Sequence, residues 1–210
     1  MQLHTIHNGN FKLDGGAMFG VVPKKLWSRT NPADSNNLCP WAMRSLLIED
    51  GDRLVLIDCG LGDKQSEKFF GHYHPHGDDS LEKSLAKAGF SRNDITDVFL
   101  THLHFDHVGG AVEWNDSRSG YRPSFKNAIY WSNSRHWKWA TEPNPRERAS
   151  FLNENIIPLH ESGQLQFVDA ADDDLRISTG LGFEAFVVNG HTDAQMCPII
   201  TIGDKTLVFM

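Results

Sequence analysis

The run Thr101-His102-Leu103-His104-Phe105-Asp106-His107, directly after the apolar triplet Val98-Phe99-Leu100, constrains this chain more than any other segment. A short apolar run between polar segments predicts a buried strand. Residues two apart at a strand end point the same way, so His102 and His104 share one direction. The chain must then turn to present Asp106 and His107, and Gly109-Gly110 lets the backbone leave sharply. Imidazole and carboxylate at this density suit Zn, Fe, Mn or Co. The alternative is a polar loop that is merely rich in His. A catalytic metal normally takes three protein ligands and keeps one position open. His191, after the strand-like stretch 183–188 and Asn189-Gly190, is the best third candidate, although alone it would read as a surface residue.

The rest of the chain is compatible with a folded enzyme. Its 210 residues suit one domain, with 40% apolar and 22% charged residues, which argues against disorder. The net charge of -7 repels phosphate backbones, so nucleic acid is not an expected partner. Cys39, Cys59 and Cys197 are scattered, with no CxxC pair, and read as small core residues in a reducing compartment. The N-terminus lacks a basic segment followed by an apolar one, and no apolar run approaches the roughly 20 residues of a membrane span. A soluble, cytoplasmic protein without a membrane partner is expected.

Strands are predicted at 2–7, 42–49, 53–58, 98–100, 128–131, 165–168, 183–188, 197–202 and 206–210, and helices at 64–70, 80–88, 133–140 and 145–154. A Gly-rich loop, 14–20, follows the first strand. Strand pairs with intervening helices imply a mixed α/β fold, a two-layer sheet core with helices outside. The chain ends inside an apolar strand, so we expect 1–210 to be one domain lacking its last part. The His-rich stretch His72-Tyr73-His74-Pro75-His76 reads as a solvent-facing loop with an adventitious metal or substrate role as the alternative. His4, His7, His136 and His160 read as surface residues.

His102-Leu103-His104-Phe105-Asp106-His107 resembles the HxHxDH signature of the metallo-β-lactamase superfamily. Leu56-Ile57-Asp58-Cys59-Gly60 resembles its LIDTG strand end, and Gly190-His191-Thr192 its GHT segment. The resemblance implies an αββα sandwich with two divalent ions, Zn above the Fe, Mn and Co alternatives. His102, His104 and His191 would hold the first ion, and Asp106 and His107 the second. Asp58 would orient a ligand or cap its turn. The family's bridging Asp and last His would fall beyond Met210. The segment from Asp14-Gly15-Gly16-Ala17-Met18-Phe19-Gly20 to Trp27 resembles the branch of quorum-quenching N-acyl-homoserine lactonases. Met18, Phe19 and Trp27 would then line an acyl pocket or pack their own loop, and this segment could form a homodimer contact.

The implied activity is hydrolysis of a lactone or ester, in which hydroxide generated at neutral pH attacks the carbonyl carbon. Asp106 would orient that hydroxide and pass a proton to the leaving alkoxide. The alternatives are a thioesterase of the glyoxalase II type, a phosphotriesterase, an arylsulfatase or a non-enzymatic metal-binding module. A nuclease on this scaffold is disfavoured by the acidic charge.

Overall fold

The computed structural model describes residues 1–168 and 175–210. In chain order its elements are β1 (Gln2–Asp14), α1 (Gly15–Phe19), α2 (Lys24–Trp27), β2 (Leu38–Asp50), β3 (Arg53–Ile57), α3 (Glu67–Tyr73), α4 (Leu81–Lys87) and β4 (Asp97–Phe99). There follow α5 (Phe105–Val108), β5 (Val112–Trp114), β6 (Tyr121–Pro123), β7 (Ile129–Asn133), α6 (Ser134–Thr141), α7 (Asn153–Glu161) and β8 (Leu165–Val168). The last strands are β9 (Arg176–Ser178), β10 (Glu184–Val188), β11 (Gln195–Ile202) and β12 (Lys205–Val208).

Two sheets carry the mixed α/β architecture. One has the order β1-β2-β3-β4-β7-β8, the other β12-β11-β10-β9. Alternation divides the first sheet's side chains between its two faces. Leu46, Ile48, Val55, Ile57 and Phe99 meet Phe183, Ala185, Val187, Met196 and Ile200 of the second sheet segment. Leu47, Leu56, Val98, Leu100 and Tyr130 form the other core with Leu81 and Leu85 of α4 and Ile156 and Leu159 of α7. Full burial of each large apolar side chain contributes about 1.5–3 kcal/mol, so the two faces together hold the sheet between a helical and a β layer.

The pairing from β3 through β4 to β7 is parallel. Parallel neighbours end at the same edge of a sheet, where ligand sites of such folds gather. The segments after β3, β4 and β7 begin at Asp58, Leu100 and Ser134, and all three leave that edge together.

Three expectations change. The first strand runs to Asp14, not residue 7, because a register shift lies between His7 and Asn10 and pairing resumes at Asn10–Ala42. Gly9 supplies the positive φ of 95° there, and the bulge breaks the alternation that marks a strand. The Gly-rich stretch after it is a short helix. The Asp14 carboxylate accepts from the Gly16 and Ala17 amides and so satisfies orphan donors of the first turn.

The helix expected at 145–154 is displaced. The Asn144 side chain accepts from the Arg146 and Glu147 amides and closes a turn. A short 3-10 turn spans Arg148–Ser150, and the helix proper is α7. Pro158 sits inside α7, a position that helix-stop rules read as a break. Burial of Ile156 and Leu159 holds the helix around it.

Candidate metal site

Asp58 directly follows β3 and has φ 60°, a left-handed conformation rare for a side-chain-bearing residue. That turn aims its carboxylate at the neighbouring strand end. Oδ1 accepts from the Thr101 amide at 2.9 Å and Oδ2 accepts from the Thr101 hydroxyl at 2.8 Å. Since the only hydroxyl proton of Thr101 is committed to Asp58, the 3.0 Å contact between Thr101 Oγ1 and His102 Nδ1 requires His102 to donate from Nδ1. His102 Nε2 then carries the lone pair. Asp58 Oδ2 also accepts from His107 Nδ1 at 2.8 Å, which points His107 Nε2 outward. One carboxylate therefore sets the orientation of two imidazoles, the usual device behind metal-binding His.

One nitrogen from each of His102, His104 and His191 lies within 4.8 Å of the other two. The Nε2 atoms of His102 and His104 are buried without a hydrogen-bond partner. A buried lone pair left unpaired costs about 1–3 kcal/mol, and a divalent ion would satisfy that of His102 Nε2, whose tautomer Thr101 fixes. His104 Nδ1 lies 3.0 Å from His191 Nε2. His191 itself is exposed, and His104 packs on the buried Phe151 ring, with centroids 4.7 Å apart. Asp106 Oδ2 lies 3.7 Å from His107 Nε2, adjacent to the triad.

The electrostatics differ across the site. Burial, and then the neighbouring His107, His104 and His191, pushes His102 well below the ordinary imidazole range. Burial likewise brings His104 down to about 2, with His191 and His107 adding to it. His191 is lowered too, by burial and then by His107. Burial would also lower His107, but Asp106 and Asp58 outweigh it and raise this ring to about 9. Neutral imidazole is the ligand form, so the donor set fits a divalent ion.

The sequence reading named six of these residues, Asp58, His102, His104, Asp106, His107 and His191, but missed two supports. His136 was expected at the surface; it is fully buried, because α6 starts at the same sheet edge and turns its third residue inward while Ser134 stays exposed. Its Nε2 accepts from the Leu103 amide and its Nδ1 meets the Asp193 carbonyl. Burial holds it at about 4 despite the Asp193 bond. Lys64, also buried, donates to the Gly109 carbonyl at 2.5 Å behind the His turn. His4 is partly buried, bonded to Glu49 at 3.0 Å, whereas His7, His72, His74, His76 and His160 are exposed.

Trp27 is buried, with Gly15 beneath its ring leaving no room for a Cβ. Phe19 stacks on Trp27 at 4.8 Å and lies 5.6 Å from Trp41. Trp27 thus packs the loop, while Met18 and Phe19 remain half-buried. Beside Asp106 stands another aromatic group, with Phe105 4.6 Å from Tyr73 and 5.5 Å from Phe69. Cys39, Cys59 and Cys197 are buried free thiols, as expected. Among the described residues no helix is long and apolar enough to cross a membrane.

The fold and the clustered imidazoles place the chain in a known class. The sequence matches the model of the metallo-beta-lactamase superfamily over residues 44–210, and the chain belongs to that superfamily. It is similar in structure to a probable metal-dependent hydrolase from Staphylococcus aureus, with a TM-score of 0.85 and 28% identity, covering 99% of this chain and 71% of that one. It shares its fold with AidC, a dizinc quorum-quenching lactonase, at a TM-score of 0.71 and 22% identity, covering 98% of this chain and 69% of that one. A probable metallo-hydrolase of Mycobacterium tuberculosis is 29% identical over 80 residues, 34% of this chain and 26% of the relative. The match thus spans about a quarter of that curated protein's length.

Proposed function

We propose that this chain carries the centre of a divalent-metal hydrolase that opens a lactone or ester, of the N-acyl-homoserine lactone type. The observation that carries this reading is the convergence of one nitrogen each from His102, His104 and His191, with His102 Nε2 buried and unpartnered and His104 Nδ1 3.0 Å from His191 Nε2. His102, His104 and His191 would hold one ion, and Asp106 and His107 a second, with Zn the favoured identity over Fe, Mn or Co. When bound, the ions supply a nucleophilic hydroxide at neutral pH and polarise the carbonyl oxygen. Asp58 keeps His102 and His107 in the tautomers that direct Nε2 toward the site. The Asp106 carboxylate would take the proton released as that hydroxide forms from water and return it to the departing alkoxide oxygen as its bond to the carbonyl carbon breaks. Phe105, Phe69 and Tyr73 offer an apolar wall beside that carboxylate for an acyl chain. The lactonase among the similar folds supports this substrate class.

The test uses the full chain. Metal content is measured, then hydrolysis of N-acyl-homoserine lactones, thioesters, phosphotriesters and aryl sulfates is compared with and without chelator. Bound metal and chelator-sensitive lactone hydrolysis are expected. Turnover unchanged by metal removal would sink the metal mechanism. Preference for a thioester or phosphotriester would move the assignment to another hydrolase of the superfamily, and bound metal without any turnover would leave a metal-binding module.

A further inference from the structure

Two separate loops supply the three converging imidazoles. His102 and His104 lie after β4, and His191 lies 87 residues beyond His104, after β10. No covalent geometry fixes one loop against the other. We infer that His136 is the positioning residue that sets this distance, a neutral imidazole bridging the backbones of both loops.

The ring is fully buried between them. Its Nε2 accepts from the amide of Leu103, the residue between His102 and His104, at 2.8 Å. Its Nδ1 lies 2.5 Å from the carbonyl oxygen of Asp193, two residues past His191. The amide can only donate and the carbonyl can only accept, so the partners dictate a single tautomer, with the proton on Nδ1. A bridge with one donor and one acceptor has a fixed span, unlike a flexible contact.

The rest of the α6 start stiffens one end of the bridge. Asn133 accepts from the His136 amide at 2.7 Å and donates to the Ala194 carbonyl at 2.9 Å. Arg135 grips the Asp193 carboxylate through Nε at 2.8 Å and Nη2 at 2.5 Å. Its Nη2 also donates to Asn189 at 3.1 Å. Asn133 and Arg135 hold the His191 loop, while His136 bonds both loops. Its role is thus separable from ordinary anchoring: its loss should loosen one ligand set against the other, not merely lower stability.

This inference rests on reading His102, His104 and His191 as ligands of one ion, and the experiment separates the two. Co(II) is titrated into the metal-free full chain, wild type, H136L, H136Q and H102A, with visible absorption reporting ligand geometry and circular dichroism reporting folding. Gln keeps an acceptor oxygen and a donor NH2 group; Leu keeps neither. Removing a group that orients metal ligands typically weakens the metal about 10–100-fold. H136L is expected to show that loss for the first equivalent and an altered Co(II) spectrum, and H136Q to recover both. If H136L does not fold, H136N, whose shorter amide does not span both backbones, takes its place with the same expectation. H136L or H136N matching wild type overturns the inference, as does folded H136Q that binds as weakly as they do. If H102A binds the first equivalent like wild type, the ligand assignment itself fails and His136 loses its role with it.

Discussion

The site has two unlike halves. His102 and His104 are buried among other imidazoles, His191 lies beside them at the surface, and every one of the three is lowered from its ordinary pKa. His107, a few ångströms away, faces Asp58 and Asp106 and is raised to about 9. Burial acts in the same direction on all four; the carboxylates alone reverse its outcome. The first half is therefore a set of neutral donors at pH 7, awaiting a cation. The second already holds a positive charge, the imidazolium proton, where a metal would compete for the same ring. An ion entering the first half meets no such competitor, and one entering the second must displace a proton.

Breaking the neutral half should have the largest effect. H104A removes one of three converging nitrogens, whereas H107A leaves all three. Loss of an ion that stabilises transition-state charge is worth several kcal/mol, hence about 10³-fold in rate. We expect H104A to lose the tightest-bound equivalent by elemental analysis, along with most of the activity, and H107A to retain that equivalent. Equal metal loss in the two variants would erase the distinction between the halves.

Asp58 links the halves, because its Oδ2 serves Thr101, and through it His102, as well as His107. Asn at this position keeps the size and one acceptor but removes the charge that raises His107. D58N should weaken metal about 10–100-fold, more for the second equivalent than the first, as read by equilibrium dialysis at two metal concentrations. A uniform loss at both would mean that Asp58 acts only by holding the Thr101 amide and the loop that follows it.

The extent to which this site was legible follows the range of the interactions. The run from Thr101 to His107 and the turn at Asp58 are local: a short strand, then donors at set spacings, and the pleat does the rest. His191 was legible because its segment repeats a family pattern. His136 was not, since its burial comes from Leu103 and Asp193, 33 and 57 residues away, and nothing in Ser134-Arg135-His136-Trp137 marks the ring as inward. Lys64 was hidden for the same reason, its partner being a carbonyl 45 residues distant. The β5–β6 hairpin has only three residues per strand, too few for alternation to register. In α7 the helix rules failed outright at Pro158, where packing of Ile156 and Leu159 outweighs the local preference.

The smallest effect is the pH dependence of the metal-free fold, where the halves should pull in opposite directions. His107 is raised in the folded state, so it adds stability that is fully present below its unfolded pKa of about 6.5 and is lost as pH rises through about 9. His102, His104 and His136 are lowered, so the folded state binds fewer protons than the unfolded chain, and their burial costs stability as pH falls below about 6.5. Stability of the chelator-treated protein should therefore peak near the unfolded imidazole pKa and decline on both sides. The alkaline decline should amount to about 1–2 kcal/mol, reduced by solvent at the partly exposed His107 ring. Urea unfolding between pH 5 and 9.5, values chosen to straddle about 6.5, measures it. The decline above the peak should vanish in H107Q while the acid side stays. If H107Q keeps the alkaline decline, the imidazolium is not what neutralises the carboxylate half, and the contrast between the halves reduces to one of burial.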